Sequence, residues 1–283
     1  MVDLGAVWQE IVTRVVALAK REPSLLLSFE WVKEQVGIKA WRYRGLQEVE
    51  VDQIVGSVNR YQDFDRAFFP LHGTSPRLQQ IEQAWQRGEI LPPVKLYKIG
   101  DAYFVEDGHH RVAAARRSRA SSIDAEVMEF VPLVPISAGD SPRDILIKAE
   151  YAAFLSQTHL DRLRPGQSIL FTELGKYKVL LDHMTVHRYF RGVEEQREVT
   201  YEEAAASWYD RVYVPLMDVF RRTGALVHFP DRTEADLYVW ASEHLYYLRE
   251  LYGPEVDLEA AVEDYVRRFG TPTGRGHPRS SAS

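Results

Sequence analysis

The segment Ala102–Arg117, AYFVEDGHHRVAAARR, constrains the fold more than any other part of the chain. A β-prone run ends at Asp107-Gly108 and passes directly into a stretch rich in Ala and Arg, the strongest helix former and one of the next best. The spacing therefore predicts a strand over 102–106, a one-glycine turn and a helix over 109–119. A glycine at such a turn lets the backbone approach a ligand. The unpaired amides and the dipole of the first helical turn then make an anion site.

The flanking sequence fits a small sheet around that unit. Val94 to Ile99 is a second β-prone run, joined to the first by Gly100-Asp101, a two-residue hairpin signal. Ser75-Pro76 reads as N-cap and first residue of a helix carrying Leu78, Ile81 and Trp85, with Gly88 just past its end and Pro92-Pro93 forbidding its continuation. Val49 and Val51 alternate with Glu48, Glu50 and Asp52, and Ile123, Ala125 and Val127 alternate with Asp124 and Glu126, so each predicts a half-buried strand. Upstream, Trp8, Ile11, Val12, Val15 and Ala19 share one helical face behind a candidate cap at Asp3. A second helix is expected from Ser24 to Val36, stopped by Gly37.

Downstream the period is helical. Ser141-Pro142-Arg143-Asp144, Thr200 with Glu203 and Thr233 with Asp236 are helix-start signals. Further helices are expected around Glu173–Phe190 and Asp257–Phe269, with Pro215 kinking the aromatic-rich helix between them. The expected organisation is a helical segment over 1–44, an α+β domain with a small mixed sheet over 45–135, a helical domain over 136–270 and a disordered tail over 271–283. The domain boundary is placed in the Pro-containing stretch 130–140.

Composition bounds the chemistry. The 283 residues contain no Cys, which excludes disulfides, thiol catalysis and thiolate metal sites. The 35 Lys and Arg against 41 Asp and Glu give a net charge of −6, so general attraction to nucleic acid or anionic lipid is not expected. There is no membrane-length apolar run, and the N-terminus carries Asp3 and Glu10, so a cytoplasmic protein is expected.

Any anion site must then be local. The window 107–120 holds Arg111, Arg116, Arg117 and Arg119 against one acid. Cations at a helix N-terminus oppose its dipole, so His109, His110 and Arg111 in the first turn point to a bound anion. The expected phosphate contacts are Gly108, His109, His110 and Arg111. His183 and His187 share a helical face at i, i+4, but Met184 stands where a zincin has Glu, and no third ligand is evident, so capping or exposed histidines are the simpler reading. Trp208, Tyr209, Tyr213, Tyr238, Trp240, Tyr246 and Tyr247 read as core and helix-packing surface ahead of a base-stacking platform.

The span 47–130, with its early strand, Arg60, the helix near 76–87 and the hairpin leading into D-G-H-H-R, resembles the ParB N-terminal/sulfiredoxin superfamily. The resemblance implies that Gly108 and Arg111 bind nucleotide phosphates, with Arg60 as a further phosphate-side Arg. Sulfiredoxins carry a catalytic Cys in this box. Its absence here excludes sulfinic acid reduction. Partition proteins have an Arg-richer box and a downstream helix-turn-helix, and neither is present. The D-G-H-x-R pattern is most similar to free serine kinases of that superfamily. ASWYDRVYVP and RTEADLYVW resemble a helical domain accompanying ParB-like domains in uncharacterised bacterial proteins. The implied ligand is a nucleoside di- or triphosphate with Mg²⁺, used in NTP hydrolysis or phosphoryl transfer to a small-molecule acceptor, with Asp107 and Glu106 as candidate catalytic base or metal contact. The alternative is a DNA-associated or regulatory ParB-like protein, which the acidity disfavours.

Overall fold

The computed structural model describes residues 26–71, 75–253 and 255–270. The helix expected around Trp8–Ala19 and the tail 271–283 lie outside the described residues. The chain divides into two compact units, with the division between Ala152 and Ala153.

The first unit is an α+β layer structure. Its six-stranded mixed sheet has the order β1-β3-β5-β4-β6-β2, formed by β1 (Leu27–Ser28), β2 (Ile38–Glu50), β3 (Ile54–Ser57), β4 (Val94–Ile99), β5 (Ala102–Asp107) and β6 (Ser122–Pro132). The hairpin β4–β5 and the pair β2–β6 are antiparallel, whereas β1–β3, β3–β5 and β4–β6 are parallel. The Gly100-Asp101 turn forms as expected. Gly100 has φ +58°, and a Cβ there would stand 2.2 Å from the Ile136 carbonyl oxygen, so the position admits only glycine.

Helices cover both faces. On one, α2 (Pro76–Gln86) and α3 (His109–Arg117) pack Leu78, Val112, Ala113, Ala114 and Ala115 onto Val94, Leu96, Tyr103 and Val105. On the other, α1 (Phe29–Val36) packs Phe29, Val32 and Val36 onto Ile99, Ala102 and Phe104. Burial of β5 on both faces explains its unbroken apolar run. The three consecutive alanines of α3 keep that helix close to the sheet. Larger side chains there would overpack it.

Four expectations change. Residues 38–44, expected within a helical segment, are the first half of β2. This is an edge strand of the sheet, and Lys39 to Arg44 are all solvent-exposed; Trp41 and Tyr43 alternate with Arg42 and Arg44, but only over the four residues between the register slips at Lys39 and Arg44. Val51 leaves the strand and enters a short 3₁₀ turn, Val51–Gln53. The strand read at 123–127 continues to Pro132, and the structural division falls inside α4 (Pro142–Thr158) instead of in the stretch 130–140.

The second unit is helical: α5 (Leu160–Leu163), α6 (Lys176–Glu195), α7 (Tyr201–Trp208), α8 (Val214–Thr223), α9 (Glu234–Tyr252) and α10 (Leu258–Phe269). Thr200 with Glu203 and Thr233 with Asp236 form reciprocal capping boxes. Pro215 opens α8, and the turn before it, Tyr209–Tyr213, widens to a π-helix, the local adjustment a chain makes where a proline N–H is missing. Trp208, Tyr213 and Tyr238 are buried with ring centroids 5.4–5.5 Å apart. Tyr246 and Tyr247 are exposed, so that aromatic set splits between core and surface.

Candidate functional site

The N-terminal end of α3 meets the loop after β3. Gly108 is the helix N-cap at φ +102°. A Cβ on it would lie 2.6 Å from Val94 Cγ1, so the turn requires glycine on both conformational and steric grounds. The first amides of α3, including those of His109 and His110, have no partner within the helix.

His109 is buried and turned inward. Its Nε2 lies 2.7 Å from Ser57 Oγ, and its ring stacks on Phe64 with centroids 5.4 Å apart. Burial is the main force that lowers its pKa, to about 4, and the positive charge of Arg60 adds to it. His109 is therefore an uncharged imidazole tied to the end of β3 and not a charged phosphate contact. His110 meets the edge of the same Phe64 ring at 5.6 Å. Its pKa is lowered by burial, then by Arg60 and Arg77. Its Nδ1 is buried with no hydrogen-bond partner.

Arg60 converges on the same place from a distant part of the sequence. Its backbone N–H donates to Ser57 Oγ at 2.9 Å, its guanidinium lies 5.0 Å from the Phe64 centroid, and its Nε donates to Asp63 at 2.7 Å. The Arg60–Asp63 pair is about half exposed on both sides. An exposed pair of this kind is weak and yields readily to a stronger anion.

Arg111 is engaged elsewhere. One terminal nitrogen donates to the carbonyl oxygens of Pro92 and Pro93, both at 2.6 Å, and the other to Asp107 at 2.6 Å. Its side chain is only 13% exposed, against 66% for Asp107. The guanidinium fork is filled by the chain itself, so Arg111 fixes the turn and the 92–93 loop. Arg116 likewise donates to the carbonyls of Val51 and Ile54, and Arg117 pairs with Glu82. Much of the local arginine excess that suggests an anion thus has partners within the fold.

Glu106 is not beside the box. Alternation along β5 puts it on the face of Phe104, toward α1, and it accepts a hydrogen bond from Tyr97 Oη at 2.8 Å. Tyr97 in turn packs on Phe29 and Phe130. Asp107 remains at the turn, held by Arg111. Among the described residues no group of three His, Cys, Asp or Glu is gathered to hold a metal. His183 Nδ1 meets Tyr238 Oη at 2.9 Å and His187 Nε2 meets Ser207 Oγ at 3.0 Å, so these two histidines serve separate packing contacts. Beside Arg111 lies a cavity of about 440 Å³ lined by Trp85, Glu89, Leu91 and, from the sheet, Glu48 and Asp124. Its three carboxylates make it unsuited to a phosphate.

Sequence reasoning missed Ser57, Phe64 and Arg77, the residues that set the environment of the two histidines. Ser57 ends a four-residue strand with no alternation to mark it.

Residues 173–269 match the model of a domain of unknown function, DUF4032. No curated protein matches the chain. Among solved structures, sulfiredoxin from Arabidopsis thaliana is similar at 10% identity over 30% of this chain and 86% of its own, with a TM-score of 0.25. A Pnob8-like ParB-N domain is similar at 11% identity over 83% of this chain and 100% of its own, with a TM-score of 0.22. Both likenesses are weak. The α+β assignment rests on the chain's own mixed sheet and helices. No helix among the described residues is long and apolar enough to cross a membrane.

Proposed function

We propose that the first unit binds the phosphate group of a nucleoside di- or triphosphate at the N-terminal turn of α3, between the amides of His109 and His110 and the guanidinium of Arg60. The observation that supports it is the convergence of Arg60 with His109 and His110, 49 and 50 positions apart in sequence, around one aromatic ring. A helix N-terminus, a cation that acts on both histidines and a Gly108 turn admitting no side chain together suit an anion. The D-G-H-H-R resemblance read from the sequence points the same way.

Two roles differ from the sequence expectation. Arg111 holds the loop, and His109 holds β3. The anion contacts are backbone amides, Arg60 and, on protonation, His110. When bound, Mg²⁺ would neutralise phosphate charge, and Asp107 and Asp63 are carboxylates beside the turn that could meet it. NTP hydrolysis or phosphoryl transfer to a small molecule is the activity this reading allows, with Asp107 as its sole acid from the sequence-derived pair.

Titration calorimetry with ATP, ADP, CTP and GTP plus Mg²⁺, on wild type and Arg60→Ala, tests the proposal. One nucleotide should bind, and the substitution should weaken it roughly tenfold or more, the scale of a charged hydrogen bond. If no nucleotide binds at millimolar concentration, the phosphate reading fails.

A further inference from the structure

The edge strand β2 is long, exposed and patterned in a way the phosphate site does not use. It has 13 residues, pairs among the described residues only with β6 along one side, and closes the sheet order at one end. Such an edge presents a row of backbone donors and acceptors that invites another strand.

The register with β6 shows which residues share a face. Gly45, Gln47 and Val49 stand opposite Val127, Ala125 and Ile123, which point into the core beneath α3. Trp41 and Tyr43 stand opposite Phe130 and Met128, and Leu46, Glu48 and Glu50 opposite Glu126, Asp124 and Ser122, all on the other face. The pairing slips between Tyr43 and Gly45, leaving Arg44 as an extra residue. That bulge inverts the parity of the strand at its middle, so odd positions before it and even positions after it lie on one face. Along that face β2 reads Trp41, Tyr43, then Leu46, Glu48 and Glu50; Lys39, just before them, is the extra residue of an earlier slip and is left without a partner on β6. Trp41, Tyr43 and Leu46 are 68%, 61% and 64% exposed.

We propose that β2 pairs antiparallel with β2 of a second copy of this chain, about a twofold axis passing between Arg44 and Gly45. The pattern is complementary to itself under that operation. Tyr43 faces Leu46 of the second copy, Trp41 faces Glu48 and Lys39 faces Glu50, each pair occurring twice. On the opposite face Ala40 meets Val49 and Arg42 meets Gln47. The two bulges meet at the axis, so the irregularity that would block a straight partner strand is matched by its own copy. Arg42 and Arg44 do not repel across the axis unopposed, because Glu129 accepts from both, at 2.6 and 2.7 Å. Directly opposed apolar and opposite-charge pairs stabilise an antiparallel ladder, and a self-complementary patch is what a twofold dimer requires. The result is one continuous sheet of twelve strands, six from each copy.

Sedimentation equilibrium of the full chain, from nanomolar to high micromolar protein, tests this. The expected mass at high concentration is twice the 32.6 kDa of one chain. Lys39→Glu and Glu50→Lys, each alone, place like charges across the axis and should weaken the dimer roughly tenfold, and the two together should restore it. Both positions are exposed, and unchanged circular dichroism establishes that each variant folds. A second measurement uses the absence of native Cys: a chain carrying Tyr43→Cys, mixed with one carrying Leu46→Cys and oxidised with diamide, should give a cross-linked heterodimer. A chain carrying Glu50→Cys in place of the latter should not. A monomer at every concentration, a dimer indifferent to both single charge reversals, or cross-linking independent of position would each overturn the proposal.

Discussion

His109 Nε2 and Ser57 Oγ lie 2.7 Å apart, which ties the first residue of α3 to the last residue of β3. The same Ser57 oxygen accepts the backbone N–H of Arg60 at 2.9 Å. One fully buried hydroxyl therefore sets both the orientation of the imidazole and the start of the loop that carries the guanidinium. Ser57 Oγ also lies 3.5 Å from the Val105 carbonyl oxygen, so the one hydroxyl joins β3, β5, α3 and the Arg60 loop.

Ser57→Ala removes that hydroxyl and leaves the buried Nε2 of His109 and the part-buried amide of Arg60 without their partner. The cost should be about 1 to 3 kcal/mol, the penalty for unsatisfied buried polar groups. Urea denaturation measures it, and nucleotide affinity should fall with it because Arg60 loses its anchor. A variant as stable as wild type would show that the pair does not hold the site.

Acid should destabilise the first unit through His109. Its folded pKa is near 4, mainly because it is buried, whereas an unfolded histidine titrates near 6.5. The unfolded chain thus takes up a proton that the folded chain refuses. Stability from this group is complete above about pH 6.5 and is lost as pH falls toward 4, with a span of roughly 3 kcal/mol for the full shift. His110, His183 and His187, all lowered chiefly by burial, act in the same direction. Denaturation midpoints between pH 7 and 4 should fall, and His109→Gln should flatten that slope. An unchanged slope would count against a neutral buried His109.

Arg111 and Arg60 should separate stability from binding. Arg111→Ala leaves the carbonyls of Pro92 and Pro93 without their donor and should cost about 2 kcal/mol or more. Arg60→Ala breaks an exposed pair and a cation–aromatic contact with Phe64, and should stay within about 1 to 2 kcal/mol of wild type while losing nucleotide affinity. Thermal denaturation and calorimetry on the two variants decide between them. Loss of binding without loss of stability in Arg111→Ala would return Arg111 to the phosphate.

What is readable in this sequence is local. Thr233 and Asp236 cap α9 three residues apart, Ser75-Pro76 precedes α2, and Gly100-Asp101 closes a hairpin, because each signal and its partner lie within one turn of chain. The first half of β2 is barely readable, since Trp41 and Tyr43 alternate with Arg42 and Arg44 for only four residues between two register slips, on an edge where all of them are exposed. The same limit governs the site. Arg111, Arg116 and Arg117 look like an unanswered positive cluster until Pro92, Val51, Ile54 and Glu82, up to 65 residues away, are folded against them. Arg60 and the glycine box belong together only by resemblance in the sequence, and the fold places them around Phe64. Strand alternation does predict that Glu106 and Asp107 point to opposite sides of β5, which by itself argues against giving both one role.

In the second unit, Asp236 should be a costly carboxylate to remove. It is buried, one oxygen accepts the Thr172 amide at 3.1 Å, and the other accepts the Thr172 hydroxyl at 2.9 Å and the Thr233 amide at 2.9 Å. It therefore caps α9 and holds the segment before α6 in place. Asp236→Ala removes three bonds to a charged acceptor, and charged hydrogen bonds are worth about twice neutral ones, so a loss of about 3 kcal/mol or more is expected. Asp236→Asn keeps one acceptor oxygen and should lose less. Hydrogen exchange at the Thr172 and Thr233 amides reports on the mechanism directly. Faster exchange at both, with stability lost in the order Ala before Asn, is expected, and protection unchanged at Thr172 would show that Asp236 acts as a cap alone.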